Sequence, residues 1–117
     1  MKNNLNKVVI TGGAGFIGSN LIKKLLSQGT ENICVIDDLS TGKKLNVNDN
    51  IEFIQADLAD EATIKLLPNN ISIILHLAGQ SSGEISFDNP VLDLQKNTIS
   101  TLNLINYALK NDVSRLV

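Results

Sequence analysis

Short apolar runs alternate along this chain with longer stretches of helical period. Lys7–Thr11 holds Val8, Val9 and Ile10 without a polar break, which suits a strand covered on both faces. Ile33–Asp37 repeats the pattern with Val35 and Ile36, and Ile51–Gln55 is shorter and more mixed. Ser72–Leu77 carries Ile73, Ile74 and Leu75, and Arg115–Val117 reads as the opening of a fifth strand cut short. Between them, Phe16–Gln28 places Ile17, Leu21 and Leu25 at steps of four, with Ile22 and Leu26 alongside, and Gly29 ends that helix. Glu61–Leu67 forms a shorter helix, with Asp60 as N-cap and Pro68 beyond its end. Pro90 opens a long helix through Lys110, where its missing N–H costs nothing. Along it, Val91, Leu94, Thr98, Leu102, Ile105 and Leu109 form the stripe expected to pack on the sheet, leaving Gln95, Lys96, Asn103 and Asn106 outside. Strands alternating with helices give a doubly wound parallel α/β sheet. Right-handed crossovers give the strand order 3-2-1-4, with the truncated strand at position five. The ligand crevice then lies beyond the carboxyl ends of strands one and four.

Composition adds bounds rather than detail. The 117 residues suit one domain over 1–117, and the 43% hydrophobic and 19% charged content is that of an ordinary globular protein. A net charge of −2 gives no general attraction to nucleic acid or an anionic membrane, so neither partner is expected. No apolar run is long enough to cross a bilayer, and Met1–Lys7 lacks the apolar stretch of a signal peptide. The single cysteine, Cys34, rules out an internal disulfide and a multi-cysteine metal site. The cytoplasm is the expected compartment.

The chemistry concentrates where the first strand ends, in Thr11-Gly12-Gly13-Ala14-Gly15-Phe16-Ile17-Gly18. Gly12 permits the tight turn, Gly15 lets backbone approach a diphosphate, and Gly18 lets the helix pack closely on the strand. The helix then opens with unpaired N–H groups and a partial positive charge toward the phosphates. A glycine triplet is a weak signal alone, but here it follows an apolar strand and opens an amphipathic helix. That context is the dinucleotide turn of a Rossmann-type fold. Asp37 ends the second strand about twenty residues past Gly18. Its carboxylate can accept from both ribose hydroxyls of the adenosine and repels a 2′-phosphate, which favours NAD over NADP. Asp38 can share that role or cap a turn.

The strings Thr11–Asn20 (TGGAGFIGSN), Val35–Gly42 (VIDDLSTG), Ala56-Asp57-Leu58 and His76–Gln80 (HLAGQ), in this order, resemble the extended short-chain dehydrogenase/reductase family. Within it they are similar to the NAD-dependent nucleotide-sugar epimerases and dehydratases. The helix Asp93–Leu104, with Asn97 near its start, also matches. The resemblance implies that Phe16 and Ile17 offer backbone N–H groups to the diphosphate. It implies that Asp38, Leu39, Ser40, Thr41 and Gly42 line the adenosine and phosphate side. Asp57 and Leu58 would border the adenine, Asp57 accepting from the exocyclic amine. Leu77, Ala78 and Gly79 would pass beneath the nicotinamide-side ribose, and Gln80 and Ser81 would begin the loop toward substrate. Asn97 matches a family asparagine near the cofactor.

Catalysis in the resembled family uses a Tyr-x-x-x-Lys pair after the fifth strand, the lysine lowering the tyrosine pKa. The one tyrosine here, Tyr107, precedes that strand and is followed by Lys110 three residues on. It reads as a packing residue with a polar tip, so no catalytic residue is assigned and the chain as given is expected to be inert. A nucleotide-sugar substrate is expected only in a complete enzyme. His76 is expected to pack or hydrogen-bond locally, Cys34 to sit in the core, and Lys43 and Lys44 to face solvent. Ser81-Ser82-Gly83-Glu84 reads as a polar loop. A free sheet edge is expected to promote self-association. Two other readings stay open: a non-enzymatic dinucleotide sensor or scaffold, and a dehydrogenase or reductase of the same family acting on another substrate.

Overall fold

The apolar runs pair as parallel strands in a computed structural model that describes residues 7–117. The polar N-terminal stretch, read as lacking a signal segment, lies outside the described residues except for Lys7. The strands are β1 (Lys7–Thr11), β2 (Ile33–Asp37), β3 (Glu52–Gln55), β4 (Ile71–His76) and β5 (Arg115–Leu116). Their order is β3-β2-β1-β4-β5, as the crossover rule requires. The register sets Ile10 beside Val35 on one side and Leu75 on the other, so the carboxyl ends of β1, β2 and β4 come level. The order reverses between β1 and β4, which opens a crevice above them.

Strand alternation divides the core in two. Val8, Ile10, Ile33 and Val35 point to the face covered by α1 (Phe16–Ser27), where they meet Ile22. Val9, Cys34, Ile36 and Ile74 point to the other face, against Leu104 and Tyr107 of α5 (Ser100–Lys110). Cys34 is fully buried and its thiol is pushed up to about 12, chiefly by that burial, so it is an inert core residue. Asp60 caps α2 (Glu61–Ile64) by accepting from the Ala62 amide, and Gly29 takes φ +87° just past α1. In α1, Gly18, Ser19 and Ile22 face the sheet, while Ile17 and Leu26 stand outward. The close seat of Gly18 on the turn sets that rotation.

The long helix departs from its sequence reading in two ways. It is built as α4 (Pro90–Leu94), a π turn over Gln95–Ile99 and α5, the wide turn inserting an extra residue into the helical repeat. The stripe expected to pack on the sheet is turned outward: Leu94, Leu102 and Leu109 are 52, 49 and 76% exposed, with Val91, Thr98 and Ile105 exposed alongside. Ser100, Leu104 and Tyr107 are buried instead, and Lys96 and Asn103, expected outside, reach across to the strand-end loops. Two polar side chains find distant partners in this rotation. The Asn103 amide donates to the Leu58 carbonyl at 2.8 Å, and the Tyr107 hydroxyl donates to the Pro68 carbonyl at 3.0 Å. In this rotation Leu104 and Tyr107 enter the core cluster while both carbonyls keep a donor. The polar stretch after β4 also differs from expectation, since α3 (Gly83–Asp88) follows Ser82, whose hydroxyl accepts from the Ile85 amide.

Candidate functional site

The crevice at the switch point has a volume of about 320 Å³. The turn between β1 and α1 forms its floor. Gly12 takes φ +69°, and a Cβ there would lie 2.7 Å from the Ala78 amide nitrogen. The residue is therefore required by the approach of the β4 loop as well as by the turn. A Cβ on Gly18 would lie 2.3 Å from the Gly12 carbonyl oxygen, and one on Gly13 would lie 2.6 Å from Val35 Cγ1. Gly15 is different. Its backbone is extended, and an added Cβ would meet nothing nearer than 3.4 Å, so its missing side chain leaves space in the crevice it lines.

The start of α1 is bare. Its N-cap is Gly15, no side chain caps it, and no acidic residue stands in its first turn. By contrast α2, α3 and α4 are each capped by a side-chain oxygen, from Asp60, Ser82 and Asn89, and each has an acid in its first turn. Helix geometry leaves the first N–H groups of α1 without helical acceptors. Phe16 is 85% exposed and Ile17 is exposed beside it, so neither side chain closes this end. These features fit a diphosphate: an uncapped positive helix end, with room left by the absent Cβ of Gly15.

Asp37 stands opposite, buried at the end of β2 and lining the crevice. One carboxylate oxygen accepts from the Ala14 amide at 2.9 Å and the other from the Leu39 amide at 2.8 Å. Each oxygen retains a lone pair for a ribose hydroxyl. Thus Asp37 also fastens the glycine turn to β2. The loop beyond it adds a second fastening: the Lys43 amide and the Asn46 side-chain amide both donate to the Ala14 carbonyl, at 3.2 and 2.8 Å. Neither contact is legible from sequence, because each joins residues about thirty positions apart in loops without periodicity.

Most of the residues singled out from the sequence do meet here. Gly12, Gly15, Asp37 and Asp38 line the crevice, as do Ser40, Thr41 and Gly42. Asp57 and Leu58 line it from the loop after β3, and Leu77, Ala78, Gly79 and Gln80 from the loop after β4. Gly18 lies beneath the floor, and Leu39, at φ +60°, packs toward the α1 face of the core. Asn97 sits behind the wall. Its side-chain oxygen accepts from the Gln80 amide at 2.7 Å and its nitrogen donates to the Gln80 carbonyl at 2.8 Å, so it clamps that backbone in place. Asp93 completes the clamp by accepting from the side chains of Gln80, Ser86 and Asn97.

Sequence reasoning missed Lys96. Its ammonium lies 2.6 Å from Asp38 and 2.8 Å from Asp57, bridging the loops after β2 and β3. Burial alone would raise the Asp38 carboxyl, but hydrogen bonds from Lys96 and Ser40 and the attraction of the ammonium outweigh it and hold the group below its ordinary 3.8. Burial alone would lower Lys96, and its bonds to both carboxylates keep it raised instead.

His76 forms a separate link below the crevice. Thr11 Oγ1 accepts from the Leu77 and Ala78 amides, so its proton goes to His76 Nδ1 at 2.7 Å. Nε2 then carries the imidazole proton toward Thr101 Oγ1 at 2.9 Å, and Thr101 donates to the Asn97 carbonyl. Only the neutral ring fits this chain of donors, and burial holds His76 below its ordinary 6.5. Below pH 6.5 the unfolded chain takes the proton first, so stability falls as pH drops through that value. Thermal melts across pH 5–8 are expected to show this slope, flattened in a His76→Gln variant. No group of metal-binding side chains occurs among the described residues, and no described helix is long and apolar enough to cross a membrane.

Comparison with known proteins agrees with this geometry. The model of the NAD dependent epimerase/dehydratase family matches residues 8–117. The chain is 36% identical over 117 residues to UDP-glucose 4-epimerase of Mycolicibacterium smegmatis, covering 95% of this chain and 37% of the relative. It is 35% identical over 113 residues to UDP-glucuronic acid decarboxylase 4 of Arabidopsis thaliana, covering 92% of this chain and 24% of the relative. Among solved structures, UDP-glucose 4-epimerase of Thermus thermophilus in complex with NAD superposes with a TM-score of 0.86 at 35% identity, covering 94% of this chain and 36% of that one. The Bordetella bronchiseptica enzyme WbmF, in complex with NAD+ and UDP, gives 0.85 at 32% identity, covering 94% of this chain and 33% of that one. The chain thus spans about a third or less of the length of these relatives. With its parallel sheet, its glycine turn and an acid at the end of β2, the chain belongs to the NAD dependent epimerase/dehydratase family.

Proposed function

We propose that this chain binds NAD in the crevice, as the cofactor-binding part of a nucleotide-sugar epimerase or dehydratase. The observation that carries the reading is the pairing of the bare α1 N-terminus, with Gly15 leaving space beside it, and the buried Asp37 carboxylate opposite. The amides of Phe16 and Ile17 hold the diphosphate, and Asp37 accepts from the adenosine ribose. Asp57 accepts from the adenine amine, with Leu58 beside the base. Leu77, Ala78 and Gly79 pass beneath the second ribose. Asp37 disfavours a 2′-phosphate, so NADP binds more weakly.

The same reading makes the chain as given catalytically incomplete. Tyr107 is buried with its hydroxyl given to Pro68, away from the crevice lining, which supports a packing role. Nucleotide-sugar recognition then belongs to a complete enzyme. The cytoplasm is the compartment this reading expects, and β5, which ends the sheet, supplies the edge for self-association. Calorimetric titration of the folded protein with NAD tests the reading. Saturable binding is expected, at least about tenfold tighter than for NADP. Absence of binding by demonstrably folded protein would contradict it.

A further inference from the structure

The adenosine end of the crevice raises an electrostatic problem. Three carboxylates, Asp37, Asp38 and Asp57, line it, and Lys96 is the one cationic side chain among the described lining residues. Asp38 and Asp57 come from different loops yet each has an oxygen on the same nitrogen. Without a cation between them, two like charges at that separation would drive the loops apart. Asp57 is the freer of the two: its side chain is 43% exposed, against 25% for Asp38. Each also accepts from the amide two residues on, Asp57 from Ala59 at 3.0 Å and Asp38 from Ser40 at 2.9 Å, so the difference in exposure decides between them. Asp57 would therefore be the one to swing toward water.

Lys96 is itself held in place. It lies in the π turn, one residue before the Asn97 clamp on Gln80 and four before Ser100, whose hydroxyl donates to the Lys96 carbonyl at 2.5 Å. The ammonium thus ties the loops after β2 and β3 to a helix anchored on the loop after β4. An ammonium has three N–H bonds, and the two carboxylates account for two of them.

We infer that Lys96 is a positioning residue that sets base selectivity: by fixing Asp57 as an acceptor on the crevice wall, it makes the site discriminate a 6-amino purine from a 6-oxo purine. The inference rests on the NAD reading above and extends it to the choice of base. A fixed carboxylate rewards an exocyclic amine, which donates, and penalises a carbonyl oxygen, which brings a second acceptor to it. A carboxylate free to swing into water gives neither reward nor penalty. Selectivity at the base therefore depends on a residue that need not touch it.

The test uses two dinucleotides that differ at the purine 6-position and in the N1 proton that the 6-oxo form carries, NAD and nicotinamide hypoxanthine dinucleotide. Each is titrated into the purified protein and into Lys96→Met and Lys96→Arg variants, with thermal melts confirming the fold. The parent protein is expected to prefer NAD by about 10- to 100-fold. Lys96→Met is expected to lose most of that preference, through weaker NAD binding together with tighter binding of the hypoxanthine dinucleotide, whose penalty is relieved. Lys96→Arg, which keeps the cation, is expected to retain it. If Lys96→Met does not fold, Lys96→Gln, which removes the charge and keeps a donor, takes its place with the same expectation. A variant that weakens both ligands equally, or leaves the ratio unchanged, would overturn the inference, since a merely structural lysine does one or the other. A parent protein that binds NAD without preferring it would overturn the inference alone, whereas one that binds neither dinucleotide would overturn the NAD reading itself.

Discussion

Replacing Gly15 with alanine is expected to leave the chain folded and to lower its affinity for NAD by about 100-fold. The two halves of that result have separate causes. Within the protein, the new Cβ meets only the Gly12 carbonyl at an ordinary 3.4 Å, and the extended backbone at Gly15 suits any L residue. Alanine is a poorer N-cap than glycine by roughly 1 kcal/mol or less, which lowers Tm by a few degrees. In the crevice, the same methyl group would take the space proposed for the diphosphate, and neither the backbone beneath nor the ligand above could yield cheaply. Gly18→Ala makes the useful contrast. There the Cβ would sit 2.3 Å from the Gly12 carbonyl oxygen and 2.6 Å from Gly13 Cα, so the fold itself suffers. Paired melting curves and NAD titrations of the two variants separate a glycine that serves the ligand from one that serves the fold.

Asp37→Asn is expected to damage both. The carboxylate offers two acceptor oxygens, one to the Ala14 amide and one to the Leu39 amide. Asparagine offers one oxygen and one NH₂ group, so one of those amides is left facing another donor in a buried place. The cost is about 2 kcal/mol of stability, which in a domain of this size lowers Tm by roughly 5–10 °C. NAD binding is expected to fall by about 10- to 100-fold, because the charged acceptor proposed for the ribose would be lost. Affinity for NADP is expected to change less, so the ratio between the two cofactors narrows. Differential scanning calorimetry and titrations with both dinucleotides measure these effects. An unchanged ratio would assign Asp37 a structural role alone.

The first crossover was the most legible part of the chain because its signals are local. Val8–Ile10 and Cys34–Ile36 are apolar on both faces, which suits a buried parallel strand. The glycines lie within seven residues of one another, and Asp37 follows at the end of the next strand. Each of these features is decided by near neighbours in sequence, and the structure brings Gly12, Gly15 and Asp37 to one crevice with Gly18 beneath its floor.

What the sequence hid depends on distant partners. The stripe from Val91 to Leu109 has the spacing of a packed face, yet the helix turns it outward. Periodicity reports that a helix is amphipathic, but not which polar side chains have buried partners elsewhere. Asn103, Tyr107 and Lys96 are each bonded to a residue 39 or more positions away in the rotation the helix takes. Lys96 illustrates the point: beside Asn97 on a helix it reads as a solvated charge, and only the return of β2 and β3 brings two carboxylates to it. The α3 helix was hidden for another reason. Ser82 and Glu84 supply a cap and a first-turn acid, but Gly83 and the run of serines around them also suit a loop. Gly13 carried no visible purpose until Val35 was seen to fill the space beside it.

The proposed function requires that backbone amides at the start of α1 grip a diphosphate. Amide resonances of isotopically labelled protein, followed during titration with NAD, test it most directly. Those of Gly15, Phe16 and Ile17 are expected to move in a saturable way, together with that of Leu39 behind Asp37. Saturating NAD that leaves these amides unmoved while others shift would place the nucleotide elsewhere and contradict the account.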